Sequence, residues 1–444
     1  MKKLGGVLIP HLKSTGGYMP EAIPTPPKVT IPVLLHFGSP LTPVVSVGDE
    51  VKVGQIIAGA ERGGLSSPIY ASVSGTVKRI ADYDELTGVK YGSKNITIAA
   101  DGMQTPLEGL GPVSVSTPKE FCKAVRDSGV VGLGGTEPFA RHEVPRNINY
   151  ILINCIECEP HITSDTASIT IDPKNLFDGV LLFKEHLISK KIVICVPSST
   201  PHLIRRMQEL ALGVTGVEVE VLTPDYPQGL DKILVRSVTG QTVPEGGSLS
   251  DIGCMVLDCT AVAAIAKYIK TGQPITTRCI TVDGSSVKFP KNVIAPIGTS
   301  VYDLLNYCGV YNFIDIDDVG KVILGGPMRG VAVPNLNVSV TKTTNAVIAM
   351  KKKDCEVPEP TPCIKCNRCN EVCPMNLMPP YFENAFKLRK VELLEKYKVS
   401  ACVECGCCAF VCPAKRPLAQ AIALSKNMLC ERTAQDREAR MWVN

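Results

Sequence analysis

Cys363-Ile364-Lys365-Cys366-Asn367-Arg368-Cys369-Asn370-Glu371-Val372-Cys373-Pro374 and Cys402-Val403-Glu404-Cys405-Gly406-Cys407-Cys408-Ala409-Phe410-Val411-Cys412-Pro413 are two copies of one pattern, Cys-x2-Cys-x2-Cys-x3-Cys-Pro. Three thiolates on one tight loop cap three irons of a cubane, and the fourth iron takes its ligand from elsewhere. In two-cluster domains built on this run, the last cysteine of each copy ligates the other cluster. The spacing therefore assigns Cys363, Cys366, Cys369 and Cys412 to one 4Fe–4S cluster. Cys402, Cys405, Cys408 and Cys373 go to a second. A pair of structural zinc sites is the competing reading. Zinc knuckles are cysteine pairs separated by longer gaps, and two compact runs closed by Cys-Pro match them poorly. Cys407 is off register and reads as a bystander.

Outward from these runs, the pattern from Tyr381 to Tyr397 predicts a helix burying Phe382, Phe386, Leu393 and Leu394. A last helix is expected from beyond Pro417 to Cys430, then a solvated tail carrying Arg432, Arg437 and Arg440. Lys353 to Pro362, rich in proline and charge, reads as a linker. The cluster-bearing domain is thus helical, of ferredoxin type, and spans 355–444.

Composition narrows the class of protein. The 444 residues suffice for several domains. With 45% hydrophobic and 20% charged residues the chain is globular, and a net charge of +4 makes no case for nucleic acid. Its 19 cysteines are odd in number and include runs that need free thiolates. That implies a reducing, cytosolic setting rather than a disulfide framework. Met1 to His11 lacks an apolar stretch of signal-peptide length. No apolar run approaches a membrane span, so the chain is expected to be soluble, or peripheral with membrane contact through partner subunits only.

Upstream, the chain reads as three further domains. Residues 1–105 hold short strands and turns in two similar halves, Val44 to Val51 and Ser67 to Val77. They resemble the barrel-sandwich fold of lipoyl and biotinyl carriers. Glu61-Arg62-Gly63-Gly64 replaces the carriers' modified lysine, which implies an unmodified scaffold. Residues 115–268 alternate helix and strand: helix at Lys119 to Asp127, strand at Tyr150 to Asn154, helix at Leu176 to Lys190, strand at Lys191 to Val196, helix at His202 to Ala211, strand at Val217 to Val221. Such alternation predicts a parallel, Rossmann-like sheet covered on both faces, with ligands bound outside the C-terminal strand ends. Residues 272–348 read as a small α+β unit, with a strand from Arg278 to Val282, a hairpin turn at Asp283-Gly284 and a helix from Ser300 to Tyr307.

Two segments of the α/β domain suit a nucleotide. Gly132-Leu133-Gly134-Gly135 offers backbone N–H groups to a phosphate, against the competing reading of a plain turn. Asn154-Cys155-Ile156-Glu157-Cys158-Glu159-Pro160 ends a predicted strand, with Asp165 beyond. Asn154, Glu157, Glu159 and Asp165 are suited to hydrogen-bond a ribityl chain or a ribose; the alternative is that the acids are ordinary loop residues. His142 and His161 lie close by and read as structural.

Ordered matches along nearly the whole chain resemble the RnfC family, the C subunit of the Rnf electron-transport complex, an NADH:ferredoxin oxidoreductase of bacterial membranes. They are His36-Phe37-Gly38-Ser39-Pro40, Val47 to Gln55, Ser74-Gly75-Thr76-Val77, Asn154 to Pro160 with Asp165, Tyr226-Pro227-Gln228-Gly229, Gly325-Gly326-Pro327-Met328, Thr341 to Asn345 and Cys363-Ile364-Lys365-Cys366. The resemblance implies FMN in the α/β domain, bound as in the flavin subunit of complex I, with NADH stacked over it. Gly132, Gly134 and Gly135 then meet the FMN phosphate or NADH, and Asn154, Glu157 and Glu159 line the flavin or nucleotide. Residues 272–348 become a soluble-ligand-binding β-grasp (SLBB) domain. The implied role is a peripheral subunit on the cytoplasmic face of the membrane, passing electrons between NADH, FMN, two 4Fe–4S clusters and partner subunits or ferredoxin. One departure stands out: Glu143 occupies the position of the family's cationic lysine after the glycines. A cobalamin reductase of the propanediol-utilisation type, or a cluster-only module with a degenerate flavin site, are the alternative readings.

Overall fold

The computed structural model describes residues 5–33, 41–59, 67–82, 94–130, 146–310 and 318–441, with side chains through Arg432. The Gly132, Gly134 and Gly135 loop, Glu143, the His36 to Pro40 motif and the Glu61 to Gly64 hairpin lie outside the described residues.

The described residues between 28 and 100 form two small antiparallel sheets facing each other. Strands Lys28–Pro32, Lys94–Ala100, Gly75–Asp82 and Glu50–Val51 make one; Thr42–Pro43, Ile56–Gly59 and Ile69–Tyr70 make the other. Alternation drives the packing, because Val29 and Ile31 pair with Ile98 and Ile96 and all four are fully buried. Gly75 has φ +148, and a Cβ there would lie 2.0 Å from the Ala99 carbonyl oxygen, so the strand crossing needs glycine.

The α/β domain centres on four parallel strands in the order Val217–Leu222, Ser189–Pro197, Ile148–Asn154, Cys254–Asp258. Their period-two alternation splits the sheet's side chains between two cores. Ile151, Ile153, Ile192, Ile194, Met255 and Leu257 face helices Pro118–Asp127, Pro173–His186 and Cys259–Thr271. Leu152, Val193, Cys195, Cys254 and Val256 face the other way, onto Tyr226, Leu234, Cys405 and Cys407. The cluster-bearing domain is thus packed onto the second face of this sheet.

Helix starts follow local chemistry. Thr117 and Glu120 form a capping box, and Asp172 and Asp258 cap the helices that follow them. The helix expected over Leu176 to Lys190 ends instead at His186, because Ser189 and Lys191 already pair with Ile148 and Tyr150 in the sheet.

The third domain is a mixed sheet ordered Glu21–Ala22, Lys291–Pro296, Thr277–Asp283, Ala346–Lys351, Val319–Leu324, Val331–Ala332, packed on helix Val301–Tyr307. Asp283-Gly284 is not a two-residue hairpin turn: residues 284–290 connect the two strands. The Asp283 carboxylate instead accepts hydrogen bonds from Ser14 Oγ at 2.6 Å and the Gly284 N–H at 2.7 Å, and pairs with His161 Nδ1 at 2.9 Å. It ties three segments of the chain together.

The last domain is helical. Tyr381 to Tyr397 is not one helix but two, Pro379–Lys387 and Val391–Lys396, divided where Arg389 takes a left-handed φ of +51. Phe382 and Leu394 are buried there, and Phe386 and Leu393 half-buried. The final helix, Leu418–Met441, runs through the stretch expected to be a solvated tail, and Arg432 pairs with Glu392.

Candidate flavin and iron–sulfur sites

The order of the four parallel strands reverses between Ile148–Asn154 and Cys254–Asp258, so the crevice of this sheet opens beyond Asn154 and Asp258. Most of the polar side chains expected there are engaged with the protein itself. Asn154 Nδ2 donates to the Gly229 carbonyl at 2.9 Å, and its Oδ1 accepts from the Ile156 N–H at 3.1 Å. Glu157 accepts the N–H groups of Asp165 and Thr166 at 2.8 and 2.9 Å, capping helix Ser164–Ile171. Asp165 pairs with Arg278 at 3.1 Å. Burial, then the neighbouring Asp258, push the Asp165 carboxyl up; Arg278 opposes them.

Glu159 differs. One carboxylate oxygen accepts the Met328 N–H at 3.1 Å, while Oε1 is buried with no hydrogen-bond partner among the described residues. Burial raises its carboxyl above the ordinary carboxylate range, against the pull of the Met328 N–H. Gln228 Nε2 is likewise buried and unpartnered among the described residues. An open acceptor and an open donor at this edge suit a ligand carrying both kinds of group, as FMN does.

Two residues of this site carry no recognisable local signal. Lys13, from the N-terminal segment, donates to the carbonyls of Glu157, Glu159 and Ile162 and clamps the loop. Arg278 reaches in from the third domain. Tyr226 and Gln228 stand in a recognised motif, Tyr226-Pro227-Gln228-Gly229, without an assigned role. A cavity of about 350 Å3 lies beside Glu157, between Lys13, Thr166, Pro197 and His202.

The eight cysteines of the two runs surround two cavities. Cys363, Cys366, Cys369 and Cys412 line one, beside Tyr381 and Arg416; Cys373, Cys402, Cys405 and Cys408 line the other, against Leu377, Phe382 and Ile422. Among the described residues no group of three or more His, Cys, Asp or Glu is placed to hold a single metal ion. Backbone N–H groups already point at sulfur: Leu377 donates to Cys373 Sγ and Glu404 to Cys402 Sγ, both at 3.3 Å. Four thiols around a cavity, with N–H donors behind them, fit a cubane. Cys363 and Cys366 are exposed, whereas Cys373 and Cys405 are buried. The second cavity is the one joined to the α/β sheet. Tyr226 donates its hydroxyl proton to the Cys405 carbonyl at 2.6 Å, and the Met328 carbonyl lies against Gly406.

A Rossmann-like sheet with polar groups at its edge unpartnered among the described residues, covered on one face by the second of two four-cysteine cavities, defines an iron–sulfur flavoprotein of the electron-transfer class. Three family models match in order: the RnfC barrel sandwich hybrid domain over residues 1–103, the Nuo51 FMN-binding domain over 125–267, and a 4Fe-4S dicluster domain over 362–415. The chain is 35% identical to the C subunit of the proton-translocating ferredoxin:NAD(+) oxidoreductase complex of Clostridium ljungdahlii, over 81% of this chain and 78% of that protein. It is 31% identical to the Na(+)-translocating counterpart of Acetobacterium woodii, over 84% of this chain and 85% of that one. A solved NAD+-reducing [NiFe]-hydrogenase is similar at 15% identity and a TM-score of 0.46, over 72% of this chain and 62% of that chain. The chain belongs to the RnfC family, the C subunits of ion-translocating ferredoxin:NAD(+) oxidoreductase complexes.

Proposed function

We propose that this protein is the subunit through which such a complex exchanges electrons with NADH, holding FMN in the α/β domain and two 4Fe–4S clusters in the C-terminal domain. FMN bound there would supply two-electron chemistry by taking up one hydride, and clusters held by the cysteines would carry single electrons, so together they would supply the conversion between the two. Gly132, Gly134 and Gly135 are assigned to phosphate, and Glu159 and Gln228 offer the open hydrogen-bonding groups at the strand edge. Asn154, Glu157 and Asp165 shape that edge: Asn154 fixes the Gly229 turn, Glu157 caps the helix behind it, and Asp165 holds Arg278. The two sets of four cysteines serve as cluster ligands.

The observation that carries this reading is the contact between the sheet and the second cysteine cavity, through Tyr226 and Cys405. It supports an electron path from the strand edge to the Cys373, Cys402, Cys405, Cys408 set, and onward to the more exposed Cys363, Cys366, Cys369, Cys412 set facing partner subunits or ferredoxin. No helix among the described residues is long and apolar enough to cross a membrane; the subunit is proposed to lie on the cytoplasmic face, held there by partner subunits.

The test is the anaerobic absorbance spectrum of the FMN- and iron-reconstituted protein before and after adding NADH. Bleaching of flavin and cluster bands by NADH upholds the assignment. Bleaching by dithionite alone removes the NADH step and leaves a cluster-only module.

A further inference from the structure

Gly325-Gly326-Pro327-Met328 stands out in the sequence, and nothing in the electron path yet uses it. In the structure it is a turn of the third domain, directly after strand Val319–Leu324. Gly325 takes φ +87, and the Gly330 N–H donates to the Gly326 carbonyl at 2.7 Å, so the turn has a set shape. Its tip meets both candidate sites. On one side the Met328 N–H donates to Glu159 Oε2 at 3.1 Å, and a Cβ on Gly326 would lie 2.3 Å from the same oxygen. On the other side a Cβ on Gly406 would lie 3.0 Å from the Met328 carbonyl oxygen and 3.6 Å from its Cε. The Met328 side chain packs against the apolar cluster that contains Ile156, Cys158, Cys405 and Cys407.

Only the second cysteine run receives this approach. Asn367 and Gly406 occupy the same position in their runs, and both have a left-handed backbone, at φ +67 and +75. Asparagine tolerates that conformation, so the conformation alone does not call for glycine. The close Met328 carbonyl does.

We propose that Met328 is a positioning residue for electron transfer, given the reading of the strand edge as a flavin site and of Cys405 as a cluster ligand. With its N–H on Glu159 and its carbonyl against the Gly406 turn, it makes the third domain the spacer between the strand edge and the second cluster. The amide nitrogen and the carbonyl carbon of one residue sit at a fixed distance across Cα, so neither contact shifts far without the other. Passing one electron at a time breaks no bond and depends on the separation of donor and acceptor. A spacer therefore acts on that step and leaves the hydride step alone. A plain packing contact between domains is the competing role; loosening it would lower cluster content and slow both steps together.

Two measurements on the full, cluster-loaded chain separate these roles: anaerobic stopped-flow of the FMN-loaded protein with NADH, and EPR of the FMN-free protein reduced by dithionite. Gly406→Asn keeps the left-handed backbone, as Asn367 does, and adds atoms against the Met328 carbonyl. Gly326→Ala acts at the other end, where φ is not positive and the added methyl meets Glu159. Iron and sulfide are counted in each. In Gly406→Asn the expected result is full cluster content, flavin bleaching at the wild-type rate and an EPR signal shifted for the second cluster but not the first. Cluster bleaching is expected to slow about tenfold, since a misplacement of about 1 Å costs up to about a hundredfold in rate. Gly326→Ala is expected to weaken FMN binding severalfold and to slow cluster bleaching as well. Wild-type rates and signals in both variants overturn the proposal. Equal slowing of both steps with loss of iron also overturns it and assigns the contact to packing. Failure of NADH to bleach the wild-type flavin removes the proposed function itself. The EPR comparison, which needs neither NADH nor FMN, then decides: a shift confined to the second cluster upholds the seat of Met328, and no shift overturns it.

Discussion

Arg278 and Lys342 are two cations buried by the fold, and they are balanced differently. Arg278 is 6% exposed; its guanidinium pairs with Asp165 at 3.1 Å and donates to Thr260 Oγ1 at 2.6 Å. Arg278→Met leaves Asp165 beside Asp258 with no cation between them, and a loss of about 3–5 kcal/mol is expected. Urea unfolding checks it, and adding Asp165→Asn should recover part of the loss, because the stranded charge is gone. Lys342 donates to the Gly129 carbonyl at 2.6 Å, a neutral partner, and burial alone pulls its amine down to about 7 from 10.5. Between those values the unfolded chain binds a proton that the folded chain does not, so stability rises with pH from about 7 to 10.5, by at most about 1.4 kcal/mol per unit. Lys342→Met should flatten that rise in unfolding midpoints measured across the window. Neither role is legible in the sequence. Thr341 to Asn345 is recognisable as a motif, but only the approach of Gly129 from a distant segment shows what its lysine does.

At the scale of elements, local signals decide where helices and strands begin, and tertiary contacts decide where several of them stop. Thr117 with Glu120, and Asp258 before Cys259, cap the starts of their helices. The early end of helix Pro173–His186 has no such signal, since sheet pairing claims Ser189 onward. The break at Arg389 is equally silent: a helical pattern spans it, but the chain turns there and brings Phe382 and Leu394 into one buried cluster. Helix packing also sets a sharp requirement at Gly179, where a Cβ would lie 2.6 Å from the Val262 carbonyl oxygen. Gly179→Ala should push helices Pro173–His186 and Cys259–Thr271 apart and lower stability by about 1–3 kcal/mol, read from the thermal midpoint.

At the scale of the molecule, the two cysteine runs are interleaved, so each cavity takes its fourth cysteine from the other run. Cys412→Ser should therefore disturb the cluster of Cys363, Cys366 and Cys369, and Cys373→Ser that of Cys402, Cys405 and Cys408. EPR of each reduced variant, read for the surviving signal, checks the crossing; loss of the signal from the variant's own run would refute it. The sequence alone determined the cysteine spacing and the alternation of helices and strands, because these depend on residues a few positions apart. From them came the iron–sulfur reading, the parallel sheet and the family resemblance. The tertiary structure decided which polar groups at the strand edge are left unpartnered among the described residues, and that Lys13 and Arg278 support that edge from other parts of the chain. It also placed the second cysteine cavity, and not the first, on the sheet. Those outcomes depend on which surfaces meet when separate domains pack, and residues hundreds of positions apart carry no local pattern that records it.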